Sequence, residues 1–175
     1  MAHHIDDYIR AMGIKGTDQF RRDYSTSVII GLRVVGDLSE DGERGEAQTF
    51  LAALHGQEHE TQSLNRRVWP LVKSAYGPQT PYIRVGRSSK NDVVIPEYSI
   101  SQVHCEFALM PDGRIRIADL GSHNGTLING KALEPKTPYV MEDEDELVLG
   151  RYLFEFLEAE TFIGRVSVMG GRKVA

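Results

Sequence analysis

Apolar and polar positions along this chain fall into two textures. Near the amino terminus Ile5, Tyr8, Ile9 and Met12 recur at helical spacing and the pattern breaks at Gly13, which predicts a short amphipathic helix. The β-branched run from Val28 to Val35 predicts a strand, and the charged, glycine-containing stretch Asp37 to Gly45 predicts a loop. Glu46 to His55 puts Phe50, Leu51 and Leu54 on one side and closes at Gly56, the pattern of a second helix. Gln57 to Arg66 shows no decisive period.

From Arg67 onward, short runs rich in Val, Ile, Leu and Phe alternate with turns. Val68 to Lys73, Tyr82 to Val85 and Val93 to Ile95 are separated by Gly77-Pro78, Pro81 and Lys90-Asn91. His104 to Met110 and Arg114 to Ala118 flank Pro111-Asp112-Gly113, a hairpin turn in which Pro fixes one dihedral and Gly supplies another. Thr126 to Ile128, Leu147 to Leu149 and Leu153 to Leu157 complete the series, which predicts a mainly β domain, an antiparallel sandwich or barrel. Phe162, Ile163 and Val166 then carry the spacing of a short packing helix. The expected organisation is a partly helical extension over residues 1–66, a β domain over 67–158 and a carboxy-terminal tail over 159–175.

Composition narrows the function classes. At 175 residues the chain can bury one core plus an appendage. Lys and Arg number 20 against 25 Asp and Glu, so no global positive field draws it to nucleic acid or anionic lipid, and an anion site must be local. Apolar stretches such as Val28-Ile29-Ile30 fall far below membrane-span length, and Met1-Ala2-His3-His4 lacks a charged-then-apolar leader, so the expected location is cytoplasmic. A single cysteine, Cys105, leaves no internal disulfide and no cysteine-cluster metal site. Alternation puts Cys105 with Phe107 and Leu109 on one strand face, as an apolar filler with an unreactive thiol.

Three polar clusters fall where loops are expected: Gly86-Arg87-Ser88-Ser89, Ser99-Ile100-Ser101-Gln102-Val103-His104 and Gly121-Ser122-His123-Asn124-Gly125-Thr126. One guanidinium, several hydroxyls, an amide and glycines that let backbone N–H groups turn inward suit an oxyanion. His104 opens a strand, so its expected role is to fix the Ser101 loop by hydrogen bonds.

The ordered set Gly86-Arg87-Ser88, Asn91-Asp92-Val93, Ser101-Gln102-Val103-His104, Asp119-Leu120-Gly121-Ser122, Asn124-Gly125-Thr126 and Asn129-Gly130 resembles the forkhead-associated (FHA) domain. Met141 to Gly150 extends the likeness through a closing hairpin, so the resemblance covers Arg67 to Glu158. It implies a two-sheet β-sandwich that binds phosphothreonine peptides through loops at one end, without cofactor, metal or enzymatic activity. Arg87 and Ser101 would hold the phosphate and Asn124 the peptide backbone, with Ser88 and Gln102 beside the phosphate loops and Gly86, His104 and Gly125 as support. His123 departs from the family pattern, where a hydroxyl residue is common; an imidazole there can also donate to phosphate. Glu144 departs too, at a turn position where glycine is common.

Other readings carry less. A hydrolase relay of Ser101, His104 and Asp119 is disfavoured because Ser101 and His104 lie close together in an extended segment and no Gly-x-Ser-x-Gly elbow occurs. Glu142 to Glu146 lacks the spaced oxygens and glycine of a calcium loop, and Gly121, Gly125 and Gly130 lack the lysine of a P-loop. An adaptor with a vestigial phosphate pocket is the nearest alternative. The expected partner is a phosphothreonine protein, a Ser/Thr kinase or its substrate. Self-association joins it if Thr17, expected in an exposed loop, becomes a phosphorylated ligand tethered to its own receptor.

Overall fold

A computed structural model describes residues 2–35 and 64–171. Its elements in chain order are β1 (His3–His4), α1 (Ile5–Lys15), α2 (Thr17–Asp23), β2 (Val28–Val34), β3 (Arg67–Pro70), β4 (Ile83–Gly86), β5 (Val93–Val94), β6 (Cys105–Leu109), β7 (Ile115–Asp119), β8 (Thr126–Ile128), β9 (Lys131–Ala132), β10 (Tyr139–Val140), β11 (Glu146–Leu149), β12 (Tyr152–Leu157) and α3 (Ala159–Gly171). The loop expected over Asp37 to Gly45 and the helix expected over Glu46 to His55 lie outside the described residues.

The strands form a sandwich. One sheet runs β1-β3-β2-β12-β11-β8-β9 and the other β10-β7-β6-β4-β5. All pairings are antiparallel except β4 with β5, which is parallel. That pair departs from an all-antiparallel expectation because the β4–β5 connection crosses the end of the sheet instead of folding back as a hairpin. The hairpin at Pro111-Asp112-Gly113 joins β6 to β7 in register Leu109 with Ile115, and Gly113 takes a φ of 86° there.

Alternation along each strand decides which face a residue serves. On the seven-stranded sheet Ile29, Trp69, Phe154 and Phe156 point between the sheets and join Val85, Cys105, Phe107 and Ile117 from the other side. Val28, Ile30, Val68 and Leu157 point outward, and α1, α2 and α3 cover them with Tyr8, Met12, Phe20, Phe162 and Ile163. The β3-β2-β12 part of this sheet is therefore buried on both faces. The Trp69 indole N–H crosses between the sheets to the Val94 carbonyl at 3.0 Å.

Several boundaries differ from the sequence reading. Strand β2 lies between β3 and β12, in the middle of the larger sheet, so the division at residue 67 falls inside a single core. Helix α1 continues through Gly13 to Lys15 and stops at Gly16, whose φ is 76° and whose N–H bonds the Met12 carbonyl at 2.9 Å. Gly13 adds flexibility but imposes no left-handed turn, whereas Gly16 adopts one. Thr17 is exposed, but it opens α2 instead of standing in a loop. Glu144 takes a φ of 68°, the conformation a glycine supplies at little cost, and its carboxylate pairs with Arg165 at 3.0 Å.

Candidate functional site

The β4–β5, β5–β6 and β7–β8 connections meet at one end of the sandwich and carry the polar clusters. Backbone hydrogen bonds weld the first two together. Arg87 N–H donates to the Ser101 carbonyl at 2.9 Å and Ser88 N–H to the Gln102 carbonyl at 3.1 Å. The buried Asn91 amide bridges the same loops, donating to the Ser88 carbonyl at 2.8 Å and the Gln102 carbonyl at 2.6 Å. Gly86 is required by this closeness, since a Cβ there would lie 2.5 Å from the Gln102 carbonyl oxygen.

Arg87 is exposed and oriented from two sides. Its Nε–H donates to the Ile100 carbonyl at 3.2 Å, and its guanidinium carbon sits 5.6 Å from the centre of the Tyr98 ring. Among the described residues the terminal nitrogens of Arg87 take no protein acceptor, so the two ends of the fork face solvent. The Ser101 hydroxyl lies across the same loop pair and accepts the His123 backbone N–H at 2.9 Å, which leaves its own proton to donate outward.

His104 is fully buried and couples the loops. Its Nδ1 accepts the Ser101 N–H at 3.1 Å, so Nε2 carries the ring proton and donates to the Gly125 carbonyl at 3.1 Å. Burial pushes its pKa down, partly offset by the Asp119 carboxylate and the Gly125 carbonyl. Asp119, also buried, accepts the N–H groups of Gly121 at 2.7 Å and Ser122 at 2.9 Å and the hydroxyls of Ser122 and Thr126 at 2.6 Å each. Burial alone would raise its pKa; those hydrogen bonds together outweigh burial and hold it below the ordinary carboxylate value. The Asn124 amide, exposed in that loop, donates from Nδ2 to the Ser99 carbonyl at 2.8 Å, which turns Oδ1 away from that contact.

All six proposed ligand-facing residues therefore stand on this one end: Arg87, Ser88, Ser101, Gln102, His123 and Asn124. Their engagement differs. The Ser88 hydroxyl is turned into its own loop, accepting the Lys90 N–H at 3.3 Å, while the Gln102 side chain is exposed and contributes its backbone to the loop pair. Ser101, His104 and Asp119 do not form a nucleophile relay: His104 Nδ1 is spent on a backbone N–H and Asp119 on the Ser122 and Thr126 hydroxyls. The sequence reading placed Ser99 in a polar cluster without a role of its own and passed over Tyr98, Glu97 and Arg151. Asn91 could have been found, as it stands inside a motif; for Glu97 and Arg151 no local pattern exists, because their contact spans 54 positions.

The strands that carry these loops lie in a stretch similar to known proteins. The stretch from residue 83 to 150 matches the family model described as the FHA domain. The oxoglutarate dehydrogenase inhibitor of Corynebacterium glutamicum is 32% identical over 77 residues, 44% of this chain and 51% of that protein. The glycogen accumulation regulator GarA of Mycolicibacterium smegmatis is 32% identical over 88 residues, 50% of this chain and 53% of that protein. The chain thus spans about half the length of these two relatives. Among solved structures, the FHA domain of an Arabidopsis thaliana hypothetical protein is 23% identical, with a TM-score of 0.49 covering 77% of this chain and 86% of that one.

Proposed function

We propose that this chain is a phosphothreonine-dependent protein interaction module that reads Ser/Thr kinase phosphorylation. The observation that carries the reading is Arg87: an exposed guanidinium oriented by the Tyr98 ring and the Ile100 carbonyl, on a loop whose backbone is bonded to that of Ser101. A planar fork and a nearby hydroxyl match a phosphate, which accepts parallel charge-assisted bonds. Asn124, with Nδ2 tied to Ser99, presents Oδ1 for a backbone N–H of a bound peptide. The match to the FHA family model over residues 83–150 and the regulatory names of two relatives support a binding role over a catalytic one. The phosphorylated partner is a kinase or a kinase substrate, met in the cytoplasm; among the described residues no helix is long and apolar enough to cross a membrane.

The test is isothermal calorimetry with a phosphothreonine peptide library and its unphosphorylated and phosphoserine counterparts. Binding confined to phosphothreonine supports the proposal. Equal binding of unphosphorylated peptides would leave the loops as a scaffold with a vestigial phosphate pocket.

A further inference from the structure

The site's polar groups converge on one short stretch, residues 97–101. Ser99 gives its carbonyl to Asn124, Tyr98 gives its ring to Arg87, Ile100 gives its carbonyl to the Arg87 Nε–H, and Ser101 supplies its own hydroxyl. A stretch without regular strand pairing holds such a set only if something inside the protein fixes it.

The fixing group is a buried carboxylate. Along this stretch Glu97 and Ser99 point inward while Tyr98 is exposed. Glu97 Oε2 accepts the Ser99 backbone N–H at 2.7 Å and also the Ser99 hydroxyl. Glu97 Oε1 accepts the Arg151 Nε–H at 3.1 Å, with the Glu97 side chain 1% and the Arg151 side chain 14% exposed. Arg151 N–H then donates back to the Ser99 hydroxyl at 3.0 Å. Arg151 belongs to the tight β11–β12 turn of the opposite sheet, and the neighbouring Gly150, at a φ of 61°, approaches so closely that a Cβ would lie 2.5 Å from both Ser99 oxygens. The binding stretch is thus clamped to a rigid hairpin of the other sheet through one carboxylate.

We infer that Glu97 and Arg151 are positioning residues of the peptide-binding site, setting Asn124, Tyr98 and Arg87 through the clamped 97–101 stretch. The inference rests on the phosphothreonine reading above. A buried charge pair is no efficient way to gain stability, since desolvation offsets much of its attraction, but its directional bonds specify one geometry. Glu97 serves both Ser99 and Arg151, so removing its charge releases the stretch from both sides. Binding then has to re-order the loop, and that cost appears as lost affinity.

The experiment is phosphothreonine-peptide affinity and melting temperature for the wild-type chain, Glu97→Gln, Ser99→Ala, Asn124→Ala and the double variant Glu97→Gln with Asn124→Ala. Val28→Ala, on the helical face, serves as a control for destabilisation alone. Glu97→Gln is expected to weaken binding about tenfold while remaining folded, Ser99→Ala about threefold, and Val28→Ala not at all. Because Glu97 acts through Asn124, the double variant should lose less than the product of the two single losses. Unchanged affinity in Glu97→Gln, or fully multiplicative losses in the double variant, would overturn the inference. Should Glu97→Gln fail to fold, Ser99→Ala decides: unchanged affinity there overturns it as well. A wild-type chain that binds no phosphothreonine peptide would instead remove the functional reading, a result distinct from wild-type binding with insensitive variants.

Discussion

The two ends of the seven-stranded sheet's surroundings are held by different forces. On the outward face, α1, α2 and α3 press an aromatic cluster onto the sheet, with Tyr8 and Phe162 rings 5.2 Å apart and Phe20 and Tyr24 4.4 Å apart. At the loop end Ile95 and Ile100 reach the core, but no aromatic cluster like that of the helical layer occurs among the described residues. There Asn91, Glu97, His104 and Asp119 are buried polar groups that bond backbone groups, with Asp119 also accepting hydroxyls and Glu97 also the Ser99 hydroxyl and the Arg151 guanidinium. Apolar packing is non-directional and tolerates small displacements; hydrogen bonds fix atoms to a few tenths of an ångström. The molecule therefore places stability in the helical layer and precision in the loops, and substitutions in the two regions should separate cleanly.

The sharpest separation is expected from Arg87→Ala. It deletes the exposed fork and no core contact, so phosphopeptide binding should fall at least about a hundredfold with the melting temperature within about 2 °C of wild type. Equal affinity by calorimetry would reject Arg87 as the phosphate ligand. Arg87→Lys should also lose most binding, since a point charge does not reproduce the planar fork.

Phe162→Ala is the converse. Phe162 is fully buried against Tyr8 and Phe20, and its truncation should cost about 3–5 kcal/mol of unfolding free energy in a urea titration. Affinity of the folded fraction should stay near wild type; a large loss would mean that the helical layer shapes the loops.

Acid breaks the polar end first. The folded protein holds His104 below its ordinary value of 6.5, so the unfolded chain binds more protons just below that pH. The stability His104 contributes is complete above about pH 6.5 and drains as pH falls from there toward the folded value. Asp119, depressed from 3.8, keeps its contribution above that value and loses it only at lower pH. Melting temperature should decline between about pH 7 and pH 5, and His104→Asn should flatten that part of the profile. A wild-type profile that stays level through that range would contradict the assignment.

The smallest effect is expected at His123, whose backbone N–H already serves the Ser101 hydroxyl and whose exposed side chain has space to donate. His123→Ala should weaken phosphopeptide binding about two- to threefold, because one exposed hydrogen bond is worth about 0.5 kcal/mol or a little more. An unchanged dissociation constant would confine its role to the backbone.

Much of this protein was legible from its residues. The β-branched run Val28 to Val35 and the apolar run Leu153 to Leu157 marked strands, and the ordered glycine, arginine, serine and asparagine motifs marked the loops, because turn chemistry and oxyanion recognition are written in neighbouring residues. The place of β2 was not: a strand predicts its own alternation but not its partners, and the pairing of Ile29 with both Trp69 and Phe156 is fixed by which apolar faces cover each other. The Glu97–Arg151 clamp was equally hidden. Residue type and spacing determined what this chain can grip. Only the sandwich decided how firmly, because it brings together side chains 54 positions apart and buries their charges where each must find its partner.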